Sequence, residues 1–280
     1  MCGFVGFFSS SLAKDAGQAI LKAMTDVIAH RGPNAEGFWS EEGLFFGHRR
    51  LSILDLSPDG AQPMRSNSGR YLTIYNGEVY NFKALRKELE DRGQRFRGHS
   101  DTEILLAGFE EWGFEETLCR STGMFALAVW DFQTKKLLLA RDRLGEKPLY
   151  YGWQGKSFLF GSELKSFRKH PDFEGRLSME ATALYVQNGC IPAPHSIYEK
   201  IFKLAPGTSL EIPLEFLRNR AGTPFQSLAK SYWSPLEAVT RALRNPFQGS
   251  ETAALDELDR RLQSSVSDQM ISDVPLGAFL

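Results

Sequence analysis

Residues 2–8 read CGFVGFF, a compact apolar run that ends at three serines, residues 9–11. A short apolar run bounded by small polar residues is typical of a buried strand. The same criteria predict further strands near 36–39, 44–53, 70–76, 123–132, 136–142, 148–153 and 157–161, and helices over 15–29, 81–92 and 101–112. Because these strands cluster as hairpins and do not alternate strictly with helices, an α+β fold with antiparallel sheets is favoured over a doubly wound parallel one.

The composition excludes several classes of protein. With 33 Lys+Arg against 34 Asp+Glu, the net charge of −1 offers no general attraction to nucleic acid or to an anionic membrane. The 42% hydrophobic and 24% charged residues argue against wholesale disorder. No apolar run approaches the roughly 18–20 residues of a membrane span, and the N-terminus lacks a basic secretory signal region. We therefore expect a soluble, cytoplasmic protein.

The three cysteines, Cys2, Cys119 and Cys190, are too few and too scattered for a disulfide framework or a zinc site. The five histidines show no metal-ligand spacing either, so we expect no metal. Cys119 and Cys190 are interpreted as buried small apolar side chains.

The sequence pattern changes after about residue 190. Seven prolines punctuate the next stretch, and we predict a domain over 2–190 followed by a connecting region over 191–250. A helix with an apolar stripe is predicted over 252–271, then an apolar strand over 276–280. Because such a strand needs neighbours to pair with, we expect 251–280 to be the truncated start of a second domain.

Cys2 combines two chemical groups that matter if Met1 is removed. The thiol would be a nucleophile, and the free α-amine, with a pKa of roughly 7.7–8.0, could accept its proton. No separate histidine would be needed. Taken alone, Cys2 could equally be a small apolar residue that starts a strand.

Seven motifs accompany Cys2: MCGFVG at 1–6, HRGP at 30–33, GHRRLSILDLS at 47–57, YNGEVYNF at 75–82, SDTE at 100–103, GMFALAVWD at 123–131 and ARDRLGEKPLYY at 140–151. Together they resemble class II glutamine amidotransferases, which are N-terminal-nucleophile hydrolases. IPAPHSIYEKIFKLAPG at 191–207, SYWSP at 231–235 and the C-terminal DVPLGAFL resemble glutamine-hydrolysing asparagine synthetases in particular. The resemblance implies a four-layer αββα sandwich of two antiparallel sheets, followed over 251–280 by the start of an α/β synthetase domain with ATP-pyrophosphatase chemistry.

The resemblance also implies roles for individual residues. Cys2 matches the nucleophile, while the Asn76 side chain and the Gly77 N–H match the oxyanion hole. Arg50 matches the residue that pairs with the substrate carboxylate, for which a guanidinium offers a planar fork. The remaining substrate-binding residues implied are Leu51, Ser52 and Ile53, which line the pocket, and Glu78 and Asp101, which face the ammonium of L-glutamine.

The residues themselves allow other interpretations. Asn76-Gly77 is also typical of a type I′ hairpin turn, although a helix follows, for which Asn81 is a suitable N-cap. Asp101 lies in a predicted capping box between Ser100 and Glu103, from which it could point outward. Arg50 could be an exposed strand residue, Arg31 part of a turn, and 141–147 a charged turn toward a partner domain.

The predicted reaction is hydrolysis of glutamine to glutamate and ammonia through a Cys2 thioester, without a cofactor. In a full-length parent, which could be a homodimer, ammonia would serve ATP-dependent amidation of aspartate by a synthetase domain. ATP and Mg²⁺ are expected only there, because its pyrophosphate-binding loop would follow Leu280. Three alternatives stay open: amidotransfer to amino-sugar or purine precursors, amidation of another carboxylate such as a surface-polysaccharide sugar acid, and a non-catalytic regulatory or interaction module.

Overall fold

The computed structural model of the chain describes residues 1–219 and 228–277. Within these residues, twelve strands form two six-stranded antiparallel sheets. The first sheet has the order β10-β8-β9-β1-β3-β2, with β1 Gly3–Phe8, β2 Ala35–Glu41, β3 Leu44–Arg50, β8 Tyr150–Gln154, β9 Ser157–Gly161 and β10 Ile201–Lys203. The second has the order β12-β11-β7-β6-β5-β4, with β4 Met64–Arg65, β5 Tyr71–Val79, β6 Gly123–Asp131, β7 Lys136–Arg141, β11 Thr208–Pro213 and β12 Ala229–Ser231.

Helices cover the outer face of each sheet. On the first sheet these are α1 Lys14–Asp26 and α5 Leu164–Phe167, and on the second they are α2 Phe82–Asp91, α3 Asp101–Glu111 and α4 Phe114–Arg120. The remaining helices described are α6 Met179–Asn188, α7 Leu214–Asn219, α8 Pro235–Arg244 and α9 Glu251–Gln269, with short 3₁₀ turns at Ala29–Arg31 and Pro58–Gly60. The predicted αββα layering is thereby confirmed.

Strand β1 shows why the opening sequence is apolar on both faces. Phe4 and Phe8 point into the cluster between the two sheets, whereas Val5 and Phe7 point into the cluster beneath α1. A strand between two apolar layers has no solvent-facing side, so the polar alternation of a half-exposed strand is absent. The inter-sheet cluster includes Phe46, Ile74, Ala128, Trp130, Leu139 and Phe160, all fully buried.

The segment 191–250, predicted as a connecting region, contributes to both sheets. Strand β10 pairs with β8, and β11 pairs with β7 and β12. The apolar residues Ile201, Leu210 and Ile212 of this segment are buried. Strands of three to six residues separated by prolines show too little alternation to be recognised in the sequence. The sheets thus extend beyond residue 190, while the domain boundaries themselves stay a prediction.

The C-terminal helix agrees with its prediction, and the structure describes only part of the strand predicted after it. Helix α9 begins after the N-cap Ser250, whose hydroxyl accepts a bond from the Ala253 N–H. Of the strand predicted over 276–280, residues 276 and 277 lie in irregular backbone and 278–280 lie outside the described residues. None of the helices described is long and apolar enough to cross a membrane.

Candidate active site

The Cys2 side chain lies directly before β1 and contacts the chain that leaves β3. Its Sγ accepts a bond from the Leu51 N–H at 3.3 Å and lies 3.4 Å from the Leu51 carbonyl oxygen. Burial raises the pKa of the Cys2 thiol, and the Leu51 hydrogen bond opposes this effect without cancelling it. The resting thiol is therefore protonated at neutral pH and needs a base before it can act as a nucleophile.

Arg31 holds the backbone of Cys2 in place. Its Nε donates to the Cys2 carbonyl at 2.9 Å, and its Nη1 donates to Glu163 Oε1 at 2.9 Å. The sequence predicts only a turn here, and the 3₁₀ turn Ala29–Arg31 is that turn. The contact with Cys2 joins residues far apart in the chain, so no local pattern could have indicated it.

Asn76 and Gly77 lie in the interior of β5, which rules out the hairpin-turn interpretation. Asn76 pairs with Ala126 and Gly77 with Phe125 in the ladder between β5 and β6. A Cβ added to Gly77 would lie 2.2 Å from the Met124 carbonyl oxygen, so only glycine allows the two strands to approach this closely. Tertiary pairing therefore overrides the local turn tendency of the Asn-Gly dipeptide.

The ladder also fixes the direction of the Gly77 N–H. The N–H groups of Tyr75 and Val79 point away from β6, because they donate to Gln62 Oε1 at 2.7 Å and to Asp101 Oδ2 at 2.8 Å. Backbone groups in a strand alternate in direction from one residue to the next, so the Gly77 N–H points to the same edge. Next to it, Asn76 Nδ2 is buried and has no hydrogen-bond partner among the described residues. β5 thus contributes two donors to the lining of a cavity, the backbone N–H of Gly77 from its edge and the side-chain amide of Asn76 from its face.

His48 ties this edge to the first sheet. The ring lies on β3, is fully buried and places Nε2 3.0 Å from the Tyr75 carbonyl oxygen. Burial lowers its pKa to about 4, so the ring is neutral and Nε2 carries the proton that it donates. His48 therefore fixes the position of β5 beside β3, the strands that carry Asn76 and Arg50.

Asp101 points into the protein and not outward. Its Oδ2 accepts bonds from the Tyr75 hydroxyl and the Val79 N–H, both at 2.8 Å. Burial raises the pKa of this carboxyl in spite of these donors. Ser100 caps α3 as predicted, but Glu103 completes no capping box, because its carboxylate accepts from the N–H groups of Arg97 and Gly98. Asp101 is consequently aimed at the edge of β5.

The cavity also contains one acidic side chain, Glu78, and one basic side chain, Lys147. Burial raises the pKa of the half-buried Glu78, and the nearby Asp101 raises it further. Lys147 is only 4% exposed, and burial lowers its pKa while Glu78 opposes that shift. Lys147 lies in the predicted charged turn, and Asp142, itself buried, accepts several backbone N–H bonds and folds this turn inward.

Arg50 is buried and its guanidinium spans the loop that follows β3. Nη1 donates to the Ser57 carbonyl at 2.9 Å, and Nη2 donates to the Asp55 carbonyl. The exposed-strand interpretation is therefore wrong. These two bonds leave further N–H groups of the guanidinium for a ligand.

A cavity of about 60 Å³ brings most of the predicted residues together. Its lining includes Met1, Cys2, Arg50, Leu51, Ile53, Asn76, Gly77, Glu78, Asp101 and Lys147. Ser52 is not among the lining residues; its N–H donates to Asn34 Oδ1 at 3.0 Å. Cys119 and Cys190 lie elsewhere and are exposed, contrary to prediction.

Within the described residues, no group of three or more His, Cys, Asp or Glu side chains is arranged to hold a metal ion. That the site works without a metal stays a prediction.

Asn81 occupies the N-cap position of α2, as predicted, but its side chain does not cap the helix. Its Nδ2 donates to the Arg120 carbonyl and its Oδ1 accepts from the Thr122 N–H.

Comparison with known proteins places this geometry in a family. The sequence model of one protein family, described as the glutamine amidotransferase domain, matches residues 1–221 of this chain. The chain belongs to this family. Every residue that lines the cavity lies within the range matched by the glutamine amidotransferase domain.

Curated relatives of this glutamine amidotransferase domain include two Bacillus subtilis proteins. One is named asparagine synthetase (glutamine-hydrolyzing) 3, and it is 36% identical over 284 residues, 100% of this chain and 43% of its own length. The other, asparagine synthetase (glutamine-hydrolyzing) 1, is 36% identical over 283 residues, 100% of this chain and 42% of its own length. The chain thus spans less than half the length of these relatives.

Solved structures support the fold independently. The glutamine phosphoribosylpyrophosphate amidotransferase of B. subtilis superposes with a TM-score of 0.57 at 18% identity, covering 76% of this chain and 48% of its own. At this level of identity the likeness concerns the fold alone. It confirms that the two-sheet α+β architecture is that of the amidotransferases of this class.

Proposed function

We propose that this domain hydrolyses the side-chain amide of glutamine to glutamate and ammonia. The observation that carries the proposal is a cavity in which the Cys2 thiol, the Arg50 guanidinium and the Glu78 and Asp101 carboxylates meet. Asn76 lines the same cavity, and its Nδ2 has no hydrogen-bond partner in the described part of the chain. A nucleophile beside preorganised donors is what acyl transfer requires.

The charges in the cavity match an amino-acid zwitterion. The remaining N–H groups of Arg50 suit the α-carboxylate of glutamine, and Glu78 and Asp101 suit the α-ammonium. An ammonium between these two carboxylates would also favour their ionised forms, which burial disfavours in the free protein.

The reaction proceeds in two balanced steps. Cys2 Sγ attacks the amide carbon, a carbon–sulfur bond forms, and negative charge on the oxygen is stabilised by Asn76 Nδ2 and the Gly77 N–H. The thiol proton passes to the α-amine of Cys2 and then to the leaving nitrogen, so that the carbon–nitrogen bond breaks and ammonia departs. Water then attacks the thioester, releasing glutamate and restoring the thiol.

Removal of Met1 is part of the proposal. Met1 converts the Cys2 nitrogen into an amide, which cannot accept a proton. Its side chain also lines the cavity, with Sδ 2.8 Å from Lys147 Nζ. Loss of Met1 would free the base and enlarge the site.

The use of the released ammonia is a proposal about a protein of the length that the relatives have. We infer that ammonia serves ATP-dependent amidation of aspartate, because relatives matched over the whole chain are named asparagine synthetases. ATP and Mg²⁺ would be bound by the additional length that those relatives possess. Amidation of another carboxylate, a homodimer and a cytoplasmic location stay hypotheses.

The test is glutamate release by the full chain, with intact mass establishing whether Met1 is absent. Cys2→Ala should lower the rate by several orders of magnitude, as expected when a covalent nucleophile is removed. Cys119→Ala, at an exposed cysteine, is the matched control and should retain the rate. Equal activity of Cys2→Ala and wild type would refute the mechanism, and absence of activity in processed wild type would favour the non-catalytic module.

A further inference from the structure

The segment after α9 returns to the loop that holds Arg50. The Asp273 N–H donates to the Ile53 carbonyl at 2.9 Å, and Asp273 Oδ2 accepts from the Asp55 N–H at 2.7 Å. One residue of the C-terminal segment therefore makes both a donor and an acceptor contact with the loop between β3 and β4. The side chain of Ile271 packs against the same helical layer as Leu54 of that loop.

His99 joins a third element to this contact. Its Nε2 lies 2.8 Å from Asp273 Oδ2, and its backbone N–H donates to Asp55 Oδ2 at 2.8 Å. His99 immediately precedes the N-cap Ser100 of α3, the helix that begins with Asp101. The C-terminal segment, the loop after β3 and the start of α3 are thus connected at one point.

Asp55 passes this connection to the site. Its carboxyl is fully buried and accepts from the Ser57 N–H at 3.1 Å and from the Ser57 hydroxyl. Its carbonyl accepts from Arg50 Nη2, and the Ser57 carbonyl accepts from Arg50 Nη1. The loop conformation that presents these two carbonyls to Arg50 is the one that Asp273 holds from outside.

We propose that Asp273 is a positioning residue for the Arg50 guanidinium, acting through Asp55. The inference rests on the proposed function, in which Arg50 binds the glutamine carboxylate. Because coupling between two sites is reciprocal, glutamine binding should in turn order the segment that follows α9. Glutamine affinity therefore depends on a residue outside the range matched by the family model.

The experiment measures kcat and KM for glutamine in the full chain. Asp273→Ala removes the acceptor for the Asp55 N–H and should raise KM about three- to tenfold with kcat little changed, as expected when ground-state and transition-state binding weaken equally. Asp273→Asn keeps an acceptor oxygen and should lie between wild type and Asp273→Ala. Asp268→Ala is the control, since Asp268 is an exposed carboxylate on α9.

A second measurement does not depend on activity. Hydrogen exchange of the Asp55 amide should accelerate in Asp273→Ala and remain unchanged in Asp268→Ala. Unchanged exchange, or unchanged KM in an active preparation, would overturn the proposal, as would a loss of kcat at constant KM. Inactive processed wild type would refute the proposed function alone, and the exchange data would still decide whether Asp273 holds the loop.

Discussion

Replacement of Asn76 by leucine should separate catalysis from stability. Asn76 is 1% exposed, and its Nδ2 has no partner in the described part of the chain. Leucine has a similar volume and no amide, so the variant removes one donor aimed at the cavity without leaving a large void. If that donor stabilises the oxyanion, kcat should fall about 10²–10³-fold, equivalent to about 2.7–4 kcal/mol, with little change in KM.

The effect on stability should have the opposite sign. A buried donor without a partner costs about 1–3 kcal/mol, so its removal should leave the free energy of unfolding unchanged or increase it by up to that amount. Thr73→Val on the same strand is the matched control, because Thr73 Oγ1 is satisfied by the Ala128 carbonyl at 3.2 Å. That variant should lose about 1 kcal/mol of stability and keep its kcat.

The assays are steady-state glutamate release and denaturant unfolding of the same preparations. Wild-type kcat in Asn76→Leu would show that the amide is not an oxyanion donor. A loss of several kcal/mol in its free energy of unfolding would show that the amide has a structural partner, and the reasoning from its unpaired state would be wrong.

Two further variants test the charges of the site. Glu78→Gln should raise KM for glutamine at least about tenfold, since a charged partner of the ammonium is lost. Burial raises the Glu78 pKa above its ordinary value of 4.5. Between pH 4.5 and the raised pKa, the folded state therefore binds more protons than the unfolded state, and wild-type stability falls as the pH rises through this range. Thermal unfolding should therefore show Glu78→Gln at least as stable as wild type at pH 7, with no advantage below pH 4.5; a lower melting temperature at pH 7 would contradict this. Lys147 lines the same cavity as Cys2, and a nearby positive charge disfavours protonation of an amine, so Lys147→Met should move the acid limb of kcat/KM to higher pH; an unmoved limb would exclude Lys147 from tuning the base.

The sequence predicts the layers of the fold well because its strongest signals are strands buried on both faces. β1 and β6 are continuous apolar runs whose alternate residues enter different clusters, and such runs have few other interpretations. The edge strands β10 and β12 span only three residues each, so their pairing partners and not their own pattern determine them.

The sequence motifs contain several of the residues that line the cavity, but they do not indicate the geometry in which these residues meet. The motifs identify Cys2, Asn76 and Asp101 as candidates. The inward direction of the Asp101 side chain, however, depends on the hydrogen bonds that it accepts from β5. The burial of Lys147 depends on how Asp142 folds its turn, and the contact of Asp273 with Asp55 spans 218 residues. Contacts of this kind leave no periodic trace in one sequence.

The most direct test of the account uses a glutamine analogue in which a chloroketone replaces the side-chain amide. Such a compound alkylates the nucleophile that its carbonyl meets, and peptide mass spectrometry locates the label. We predict a single label on the Cys2 thiol of protein that has lost Met1, with labelling slowed by glutamine. Labelling at another residue, or labelling of Cys2 that glutamine does not slow, would contradict the assignment of this cavity as a glutamine site with Cys2 as its nucleophile.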